Sequence, residues 1–409
     1  AVRVPQADEE SLKRNFMELI KITDRISYLP GEQRTDRPLL YYIRGDRYSV
    51  AVDAGNSRAH VELFYSALTA AGLPLPKLTV LTHWHWDHTF GLPYIHGASI
   101  ATAKTQEKLR KVSQWAWTRE AMDAREQTGE DIAFCNGCIR EEYADLSEIR
   151  VQPADMGIDG PMTLDLGGVT LHLIPTDSVH SRDAMLIWIP EEKTLIAGDA
   201  ECEDFYEGHG RANPERIAAY VKLLDSFDFD FYCYGHVPPV DRAGILREMA
   251  EMAEEYSYEI TAVEEPDRRA AYAEAVLHAL PEWFGIPEST AAYIAESRRQ
   301  PFWAALHGDE VWGFIALQET SPAAVELAVM GVRPELHRSG MGRALFAAAR
   351  AWAKSAGYRM MQVKTVREGC YPCYDRTNAF YRSLGFAPLE CFPTLWGERN
   401  PCMVYVMEL

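Results

Sequence analysis

Four side chains that commonly bind metal ions lie within six residues of this sequence, directly after the apolar run 78–81. They are His83, His85, Asp87 and His88. Because side chains alternate along an extended segment, the first three are expected to converge and the fourth to point to a neighbouring position. This spacing predicts two adjacent metal ions rather than one.

Further candidate ligands follow predicted strands later in the chain. The strands 168–176, 194–197 and 231–234 lead to His180, Asp199 and His236, and an earlier strand, 48–52, ends at Asp53. Sites gather at strand ends in α/β arrangements. Imidazole and carboxylate ligands in this mixture suit zinc, with iron and manganese as alternatives. Two metal ions that share a carboxylate can activate a water and polarise a carbonyl, which predicts hydrolysis.

The elements that must position these residues alternate between helix and strand. Helices are predicted over 8–22 (Leu12, Phe16, Leu19, Ile20), 58–71 and 242–257, hairpins over 39–52 and 162–174, and strands over 78–82 and 186–189. This order predicts an α/β fold with its site at strand ends. Residues 104–148 form a helical insertion, either a lid or a solvated excursion.

With these residues in this order, the stretch 20–240 resembles the metallo-β-lactamase-fold hydrolases, in the branch with a glyoxalase-II-like or lactonase-like ligand set. The resemblance implies an αββα sandwich. It also implies that His83, His85 and His180 bind one zinc ion, that Asp87, His88 and His236 bind a second, and that Asp199 bridges them. Asp87 would in addition take part in catalysis, and Asp53 would support the ligands without binding metal.

The same resemblance narrows the substrate. Asp199 favours a thioester, lactone, amide or phosphoester substrate, with β-lactam turnover as a side activity at most. A flavodiiron oxygen reductase would be expected to have Glu where His85 stands, whereas a mononuclear iron oxygenase stays an alternative. Oxyanion stabilisation or packing is expected of Tyr206, Tyr234 and His209, and Trp84 and Trp86 are expected to wall the site or to pack.

A second chemical feature is the loop 333–342, which joins a predicted strand, 325–332, to a predicted helix, 343–356. Glycines at 340 and 342 leave amides open at the helix start, where a pyrophosphate can bind. Helices 270–280 and 288–298 and strands 302–306, 311–318 and 360–366 surround this loop. Together with Asn378 to Phe386, they resemble the GCN5-related N-acetyltransferases (GNAT).

This second resemblance implies acetyl-CoA as the cofactor. The residues that would contact it are Val332, His337, Arg338, Ser339, Gly340, Met341, Gly342, Arg343 and Asn378. Tyr381 would protonate the leaving thiolate, and Glu326 would deprotonate an amine through water. His337 stands where the family usually has Arg or Gln. The alternative is a CoA-binding or assembly module without turnover.

The length of 409 residues exceeds what one hydrophobic core usually supports and predicts two or three domains. With the two resemblances, the expected protein has two domains of α/β and α+β class. The predicted parts are a metal-dependent hydrolase domain at 1–245, a linker helix at 246–264 and a GNAT domain at 265–409. Its expected partners are small-molecule substrates and acetyl-CoA. The oligomeric state is left open.

Charge and composition exclude other classes. With 60 acidic and 41 basic residues the formal charge is -19, which disfavours a nucleic-acid partner. The chain lacks an apolar run long enough for a membrane span and a secretory signal pattern, so the cytoplasm is expected. The pairs Cys135–Cys138 and Cys370–Cys373 predict two independent reduced pairs or, alternatively, one zinc site between domains.

Overall fold

The computed structural model describes residues 18–208 and 210–409. They form two compact units that divide between Glu255 and Tyr256. This division lies within the predicted linker, whose residues belong to the last helix of the first unit and the first strand of the second. No helix in the described ranges combines the length and the apolar character needed to cross a bilayer.

The first unit begins with a mixed sheet. Its strands, in order across the sheet, are β1 Ile20–Lys21, β2 Ile26–Leu29, β3 Leu40–Arg44, β4 Ser49–Val52, β5 Leu78–Val80, β6 Ala98–Thr102 and β7 Met156–Ile158. The pairs from β1 to β4 are antiparallel, and those from β4 to β7 are parallel. The helix predicted over 8–22 is wrong at Ile20 and Lys21, which pair with β2; Leu12 and Phe16 lie outside the described residues.

A second sheet of the same unit follows in sequence. Its strands are β8 Met162–Asp165, β9 Thr170–Thr176, β10 Ala184–Ile189, β11 Thr194–Gly198, β12 Phe231–Tyr234 and β13 Val240–Asp241. They lie side by side in chain order, and β11 and β12 form the parallel pair. The α-helices among the described residues of this unit are α1 Arg58–Ala70, α2 Trp86–Thr89, α3 Ala103–Val112, α4 Arg119–Thr128, α5 Ala133–Glu142, α6 Pro214–Leu224 and α7 Arg242–Glu255.

The core of the first unit lies between its two sheets. Tyr41 and Ile43 of β3 point into this core, where they join apolar residues of both sheets, whereas Tyr42 points to the opposite side and packs with Phe64 of α1. The alternation follows from the strand period of two. Helices therefore cover sheets that pack on each other, and the strand ends that carry ligands meet at one edge of the sandwich.

The insertion, residues 103–148, contains α3, α4 and α5. Its Val112 and Met122 are buried in a cluster with Trp84, Trp86 and Phe90, next to the histidine segment. The insertion therefore packs as a wall beside this segment, and the prediction of a solvated excursion is wrong.

The second unit is one sheet with helices on both faces. Its strands, in order across the sheet, are β14 Glu259–Ala262, β15 Phe302–His307, β16 Glu310–Ser321, β17 Ala324–Val332, β18 Met360–Val366, β20 Cys402–Glu408 and β19 Ala387–Phe392. Helices α8 Pro266–His278 and α9 Pro287–Ser297 cover one face, and α10 Met341–Ser355 and α11 Pro372–Ser383 cover the other.

The parallel strands β17 and β18 pair over only part of their length. Their register runs from Ala324 opposite Met360 to Leu327 opposite Val363, and both strands continue beyond it. A bulge on the other side of β17 lies at this point, because Leu327 faces Leu317 whereas Val329 faces Ala316. Such a bulge bends a strand. Because this bulge lies where the pairing of β17 with β18 ends, a gap opens between the two strands beyond Leu327.

Candidate functional site

The histidine segment is not one extended strand. His83 and His85 lie in the loop after β5, whereas Asp87 and His88 lie on the short helix α2. The expected convergence of Asp87 with His83 and His85 through strand alternation is therefore wrong. The turn of α2 instead directs Asp87 and His88 into a separate group, which supports a two-metal arrangement through different geometry.

The first group consists of His83, His85 and His180, all buried. Nε2 of His180 lies 2.9 Å from Nδ1 of His85. Nε2 of His83 is buried without a hydrogen-bond partner among the described residues. Burying three imidazoles together costs free energy when one ring nitrogen has no partner, unless a further group binds between the rings.

The second group consists of Asp87, His88, Asp199 and His236. Nε2 of His88 lies 2.9 Å from Oδ2 of Asp87 and 3.2 Å from Oδ2 of Asp199. Nε2 of His236 lies 3.1 Å from Oδ2 of Asp87 and 3.4 Å from Oδ2 of Asp199. Two carboxylates thus face two imidazoles around one point.

Asp199 lies between the two groups. Its Oδ2 is 3.9 Å from Nε2 of His83 and 3.9 Å from Nε2 of His180, besides its contacts in the second group. Asp199 follows β11, and Gly235 at the end of β12 leaves room for it, since a Cβ at Gly235 would lie 1.9 Å from Oδ1 of Asp199.

Hydrogen bonds hold the outer nitrogen, Nδ1, of His83, His88 and His180. Oδ2 of Asp53 lies 2.7 Å from Nδ1 of His88, and Asp53 Oδ1 accepts from the Thr82 backbone N–H at 2.7 Å. Thr82 Oγ1 lies 3.0 Å from Nδ1 of His83, and the carbonyl of Glu203 lies 2.6 Å from Nδ1 of His180. Each contact leaves Nε2 directed inward, as in metal-binding histidines.

Asp36 is a neighbour of the centre that sequence reasoning missed. Its Oδ1 lies 3.6 Å from Nδ1 of His236, and its backbone is left-handed, with φ at 55°. Burial, with the charge of Asp87, raises the pKa of Asp36 to about 7. No motif marks Asp36, since a loop far from His236 in sequence carries it.

The electrostatics separate the two histidine groups. Burial, together with neighbouring histidines, lowers the pKa of His83 and His85 well below the ordinary value, so both are neutral near pH 7. Burial also acts to lower the pKa of His88, but the carboxylates of Asp87 and Asp199 outweigh it and raise that pKa. The protonated imidazole of His88 thus offsets the charge of these carboxylates, as a bound cation would.

The residues fit a metal centre. Within each group the potential ligand atoms lie within 4.8 Å of one another, and all are imidazole nitrogens or carboxylate oxygens. The unpartnered Nε2 of His83 and the outer hydrogen bonds of His83, His88 and His180 agree with this fit. The first unit therefore carries a histidine and aspartate cluster suited to metal binding.

Other predicted contributors to this site lie differently. The hydroxyl of Tyr206 donates to Asp131 at 3.2 Å, and that of Tyr234 donates to Glu248 at 2.5 Å, so neither points at the cluster. These contacts favour the packing alternative for both tyrosines, and His209 lies outside the described residues. The Trp84 ring lies 4.9 Å from that of His85, and Trp86 packs against Phe90.

The predicted cysteine pairs lie in different units. Cys135 and Cys138 are buried in α5. Cys370 lies just before α11, and Cys373 lies at its start. All are free thiols, and neither pair belongs to a metal-binding group within the described ranges.

In the second unit, the loop before α10 has two left-handed residues, Arg338 at φ 64° and Gly340 at φ 90°. Nε2 of His337 lies 2.8 Å from the carbonyl of Val332 and closes the loop. Ser339 Oγ donates to the Leu336 carbonyl at 2.8 Å. The loop is therefore held by its own side chains, and it ends at a helix start, a place where backbone amides can bind anions.

The other predicted cofactor residues have structural contacts. Met341 is buried in the core, and the Arg343 guanidinium lies 3.3 Å from Oγ of Ser383. A Cβ at Gly342 would lie 3.2 Å from Phe380, so this glycine allows α10 and α11 to pack closely.

Asn378 and Tyr381 lie on α11. Asn378 is fully buried, donates to the carbonyls of Val366 and Tyr374, and accepts from Tyr405. These bonds give it a positioning role, and its contact with the cofactor stays a prediction. Burial, with the nearby Tyr374 and Tyr293, raises the pKa of Tyr381, so its phenol keeps its proton.

Comparisons with known proteins were made for both units. Residues 36–236 match the metallo-beta-lactamase superfamily, and residues 298–388 match the acetyltransferase (GNAT) domain. The atrochrysone carboxyl ACP thioesterase of Aspergillus fumigatus is 23% identical over 195 residues, which are 48% of this chain and 48% of that protein. The chain thus spans about half the length of the curated relative it matches.

Solved structures resemble each unit. A metallo-beta-lactamase from Pontibacter korlensis is 16% identical with a TM-score of 0.42, over 57% of this chain and 98% of that one. A GNAT-family protein from Desulfovibrio desulfuricans is 19% identical with a TM-score of 0.33, over 37% of this chain and 99% of that one. The family matches and the sheet order confirm the predicted fold class: the chain is a fusion of a metallo-beta-lactamase-superfamily domain with a GNAT domain.

Proposed function

We propose that the first unit is a binuclear zinc-dependent hydrolase of thioesters and that the second is an acetyl-CoA-dependent N-acetyltransferase. The observation that carries the first proposal is the position of Asp199. One carboxylate oxygen faces the ligands of both groups, at 3.9 Å from His83 and 3.4 Å from His236. A shared carboxylate is the geometry that two adjacent metal ions require.

When bound, the two ions would activate a water and polarise the acyl carbonyl of the substrate. His83, His85 and His180 would hold one ion, Asp87, His88 and His236 the other, and Asp199 both. In the reaction the water oxygen bonds to the acyl carbon and the carbon–sulfur bond breaks. Asp87 takes one proton from the water, and that proton then passes to the leaving sulfur.

Two features support an acyl substrate. The matched Aspergillus protein is a thioesterase by name. Beside the first histidine group, the half-exposed Phe205 lies with its ring 6.3 Å from that of His180, and Trp84 lies against His85. An apolar acyl chain can pack on these rings.

The metal count tests the binuclear proposal. Elemental analysis of protein expressed without added metal should find about two zinc ions per chain. Asp199→Asn should lower this count, because the shared ligand then loses its charge, whereas His172→Ala should leave it unchanged since His172 lies outside both groups. One iron per chain, as in a mononuclear oxygenase, would overturn the proposal.

Substrate assays separate the bond types. Acyl-CoA and acyl-N-acetylcysteamine thioesters, lactones, phosphoesters, amides and β-lactams should be compared at equal concentration with the zinc-loaded chain. The highest kcat/KM is expected for thioesters, and Asp199→Asn should lower it at least about a hundredfold. Higher kcat/KM for lactones or phosphoesters would keep the hydrolase and reject the thioester.

The second proposal is supported by the loop between Val332 and Met341, where the left-handed Arg338 and Gly340 turn the chain into the start of α10. Backbone amides at such a helix start can bind a pyrophosphate. Tyr381 keeps its proton, as a donor to a thiolate must. Glu326 lies beside the gap between β17 and β18. It is the residue that we propose as the base that deprotonates the amine. In the transfer, the amine nitrogen bonds to the acetyl carbon, the carbon–sulfur bond breaks, Glu326 takes an amine proton and Tyr381 protonates the sulfur.

Calorimetric titration with acetyl-CoA, followed by thiol detection over an amine panel, tests this unit. Binding with thiol release on addition of an amine is expected, and Tyr381→Phe should slow the release while leaving acetyl-CoA affinity intact. Binding without release for every amine would instead establish a CoA-binding module.

A further inference from the structure

A carboxylate and an ammonium meet at the point where the sheet of the second unit opens. Oε2 of Glu326, on β17, lies 2.6 Å from Nζ of Lys364, on β18. The same oxygen accepts from Nε2 of Gln362 at 2.7 Å. The side chain of Glu326 is 15% exposed and that of Lys364 is 32% exposed, so the pair is shielded but reachable.

The pair faces the side of the sheet that α8 and α9 cover. Val325 and Leu327, which flank Glu326, point to the other face and pack in the core with α10. Burial raises the pKa of Tyr293 on α9, and the charge of Glu326 raises it further. This effect places Glu326 on the α9 side of the sheet. Lys364 comes one residue after the last paired residue of β18, Val363, and so lies at the mouth of the gap.

The lysine does not help a base that serves a simple amine. The ammonium of an incoming substrate would be attracted by Glu326 but repelled by Lys364. If that ammonium displaced Lys364 from the Glu326 carboxylate, Lys364 would be left without an ion-pair partner. The second unit has only one other lysine, Lys354, in the sequence after residue 255. The ammonium of Lys364 beside Glu326, the proposed base, is therefore a specific feature of the gap between β17 and β18.

An acceptor that carries both charges removes this conflict. Its ammonium can pair with Glu326 while its carboxylate pairs with Lys364, so the two ion pairs replace one and no charge is left alone. The 2.6 Å contact keeps the two protein charges close together, which matches the short separation of the amino and carboxyl groups in an amino acid. Neither charge has to be buried unpaired at any stage.

We propose that the acceptor of the second unit is an amino acid or a compound with the same adjacent amino and carboxylate groups, with Glu326 binding its amine and Lys364 binding its carboxylate. This inference rests on the proposed acetyltransferase activity. The ammonium loses one proton to Glu326, its nitrogen bonds to the acetyl carbon, and the carbon–sulfur bond breaks. Tyr381 protonates the leaving thiolate, and the second proton lost by the nitrogen restores the Tyr381 phenol, so the products are an N-acetyl amino acid and CoA.

Matched acceptors test the proposal on the full chain with acetyl-CoA. Each of several α-amino acids is compared with its decarboxylated amine by thiol release. Higher kcat/KM for the amino acids is expected. Lys364→Met should raise KM for amino acids at least about tenfold, the loss expected for one charge-assisted hydrogen bond, and should leave KM for the plain amines equal or lower. Lys364→Arg should retain most of the preference.

The controls separate the two proposals. Lys354→Met removes the other lysine, exposed at the end of α10, and should change neither acceptor class. Acetyl-CoA titration shows whether each variant is folded. Acetylation of plain amines at equal or higher kcat/KM by the unaltered chain would overturn the acceptor class while keeping the acetyltransferase. Absence of thiol release with every acceptor would overturn both.

Discussion

The residue Gly235 shows how little space the metal centre has. A Cβ there would lie 1.9 Å from Oδ1 of Asp199 and 3.0 Å from Cε1 of His88. Gly235→Ala is therefore expected to displace Asp199 and to lower bound zinc from about two ions to about one or fewer, with hydrolysis falling in parallel. Elemental analysis measures this, with Gly137→Ala, which meets open space in α5, as the matched control. Retention of both ions would contradict it.

A second residue-scale prediction concerns His60, which is fully buried on α1. Neither of its ring nitrogens has a hydrogen-bond partner in the part of the chain that the structure describes. Burial, with the charge of Arg37, lowers the pKa of His60 to about 3, against 6.5 for an exposed histidine. Below pH 6.5 the unfolded chain therefore takes up a proton that the folded chain refuses, and stability falls as the pH falls.

The expected size of this effect is about 2 kcal/mol at pH 5, since each pKa unit corresponds to about 1.4 kcal/mol. His60→Leu should remove that part of the loss, so the difference in unfolding free energy between variant and parent should shift by this amount between pH 7 and pH 5. Urea unfolding of the metal-free chain measures it. Replacing the exposed His96 by Leu should give no such shift, and an equal pH dependence of His60→Leu and parent would refute the prediction.

Among the elements, helix α10 has a left-handed glycine at each end. Gly340 precedes it at φ 90°, within the proposed cofactor loop, and Gly357 follows it at φ 88°, away from that loop. An alanine at either position strains the backbone by about 1 kcal/mol. Gly340→Ala should also weaken acetyl-CoA binding in titration calorimetry, whereas Gly357→Ala should lower only the melting temperature. Equal effects on binding would mean that the loop does not hold the cofactor.

Elements with a strong local pattern could be predicted from the sequence. The strand predicted over 360–366 matches β18, and the helix predicted over 58–71 matches α1 to within one residue. The candidate ligands could also be located, because His180, Asp199 and His236 each follow a strand, and a strand end at the sheet edge is a local property.

Features set by contacts between distant segments could not be predicted. Asp36 meets His236 across two hundred positions of sequence, and Glu326 meets Lys364 only because β17 and β18 are parallel neighbours. The helical turn at Asp87 and His88 was missed since four ligands in a row suit an extended segment equally well. Burial of the insertion depends on tertiary contacts of Trp84 and Met122, which carry no periodic signal.

At the scale of the whole molecule, the two units should respond to different ligands. A ligand that binds only the folded state raises the melting temperature of the unit that binds it. Scanning calorimetry of the full chain is expected to show one transition that a zinc chelator lowers by several degrees and another that acetyl-CoA raises by several degrees. Asp199→Asn should reduce the first response and Gly340→Ala the second. A single transition that both ligands move would show that the units unfold together.

The insertion of residues 103–148 is continuous in sequence, whereas the candidate ligands come from four separate places in the chain. It packs against Trp84 and Trp86 and contributes Asp131, which accepts from Tyr206, but it supplies none of the ligand atoms. The residues that form the wall of the site and the residues that supply its ligands can therefore change independently in evolution. We expect that exchange of this one segment between related chains would change which substrates fit beside the cluster and would leave the ligand set untouched, so new specificities could arise here by modular replacement.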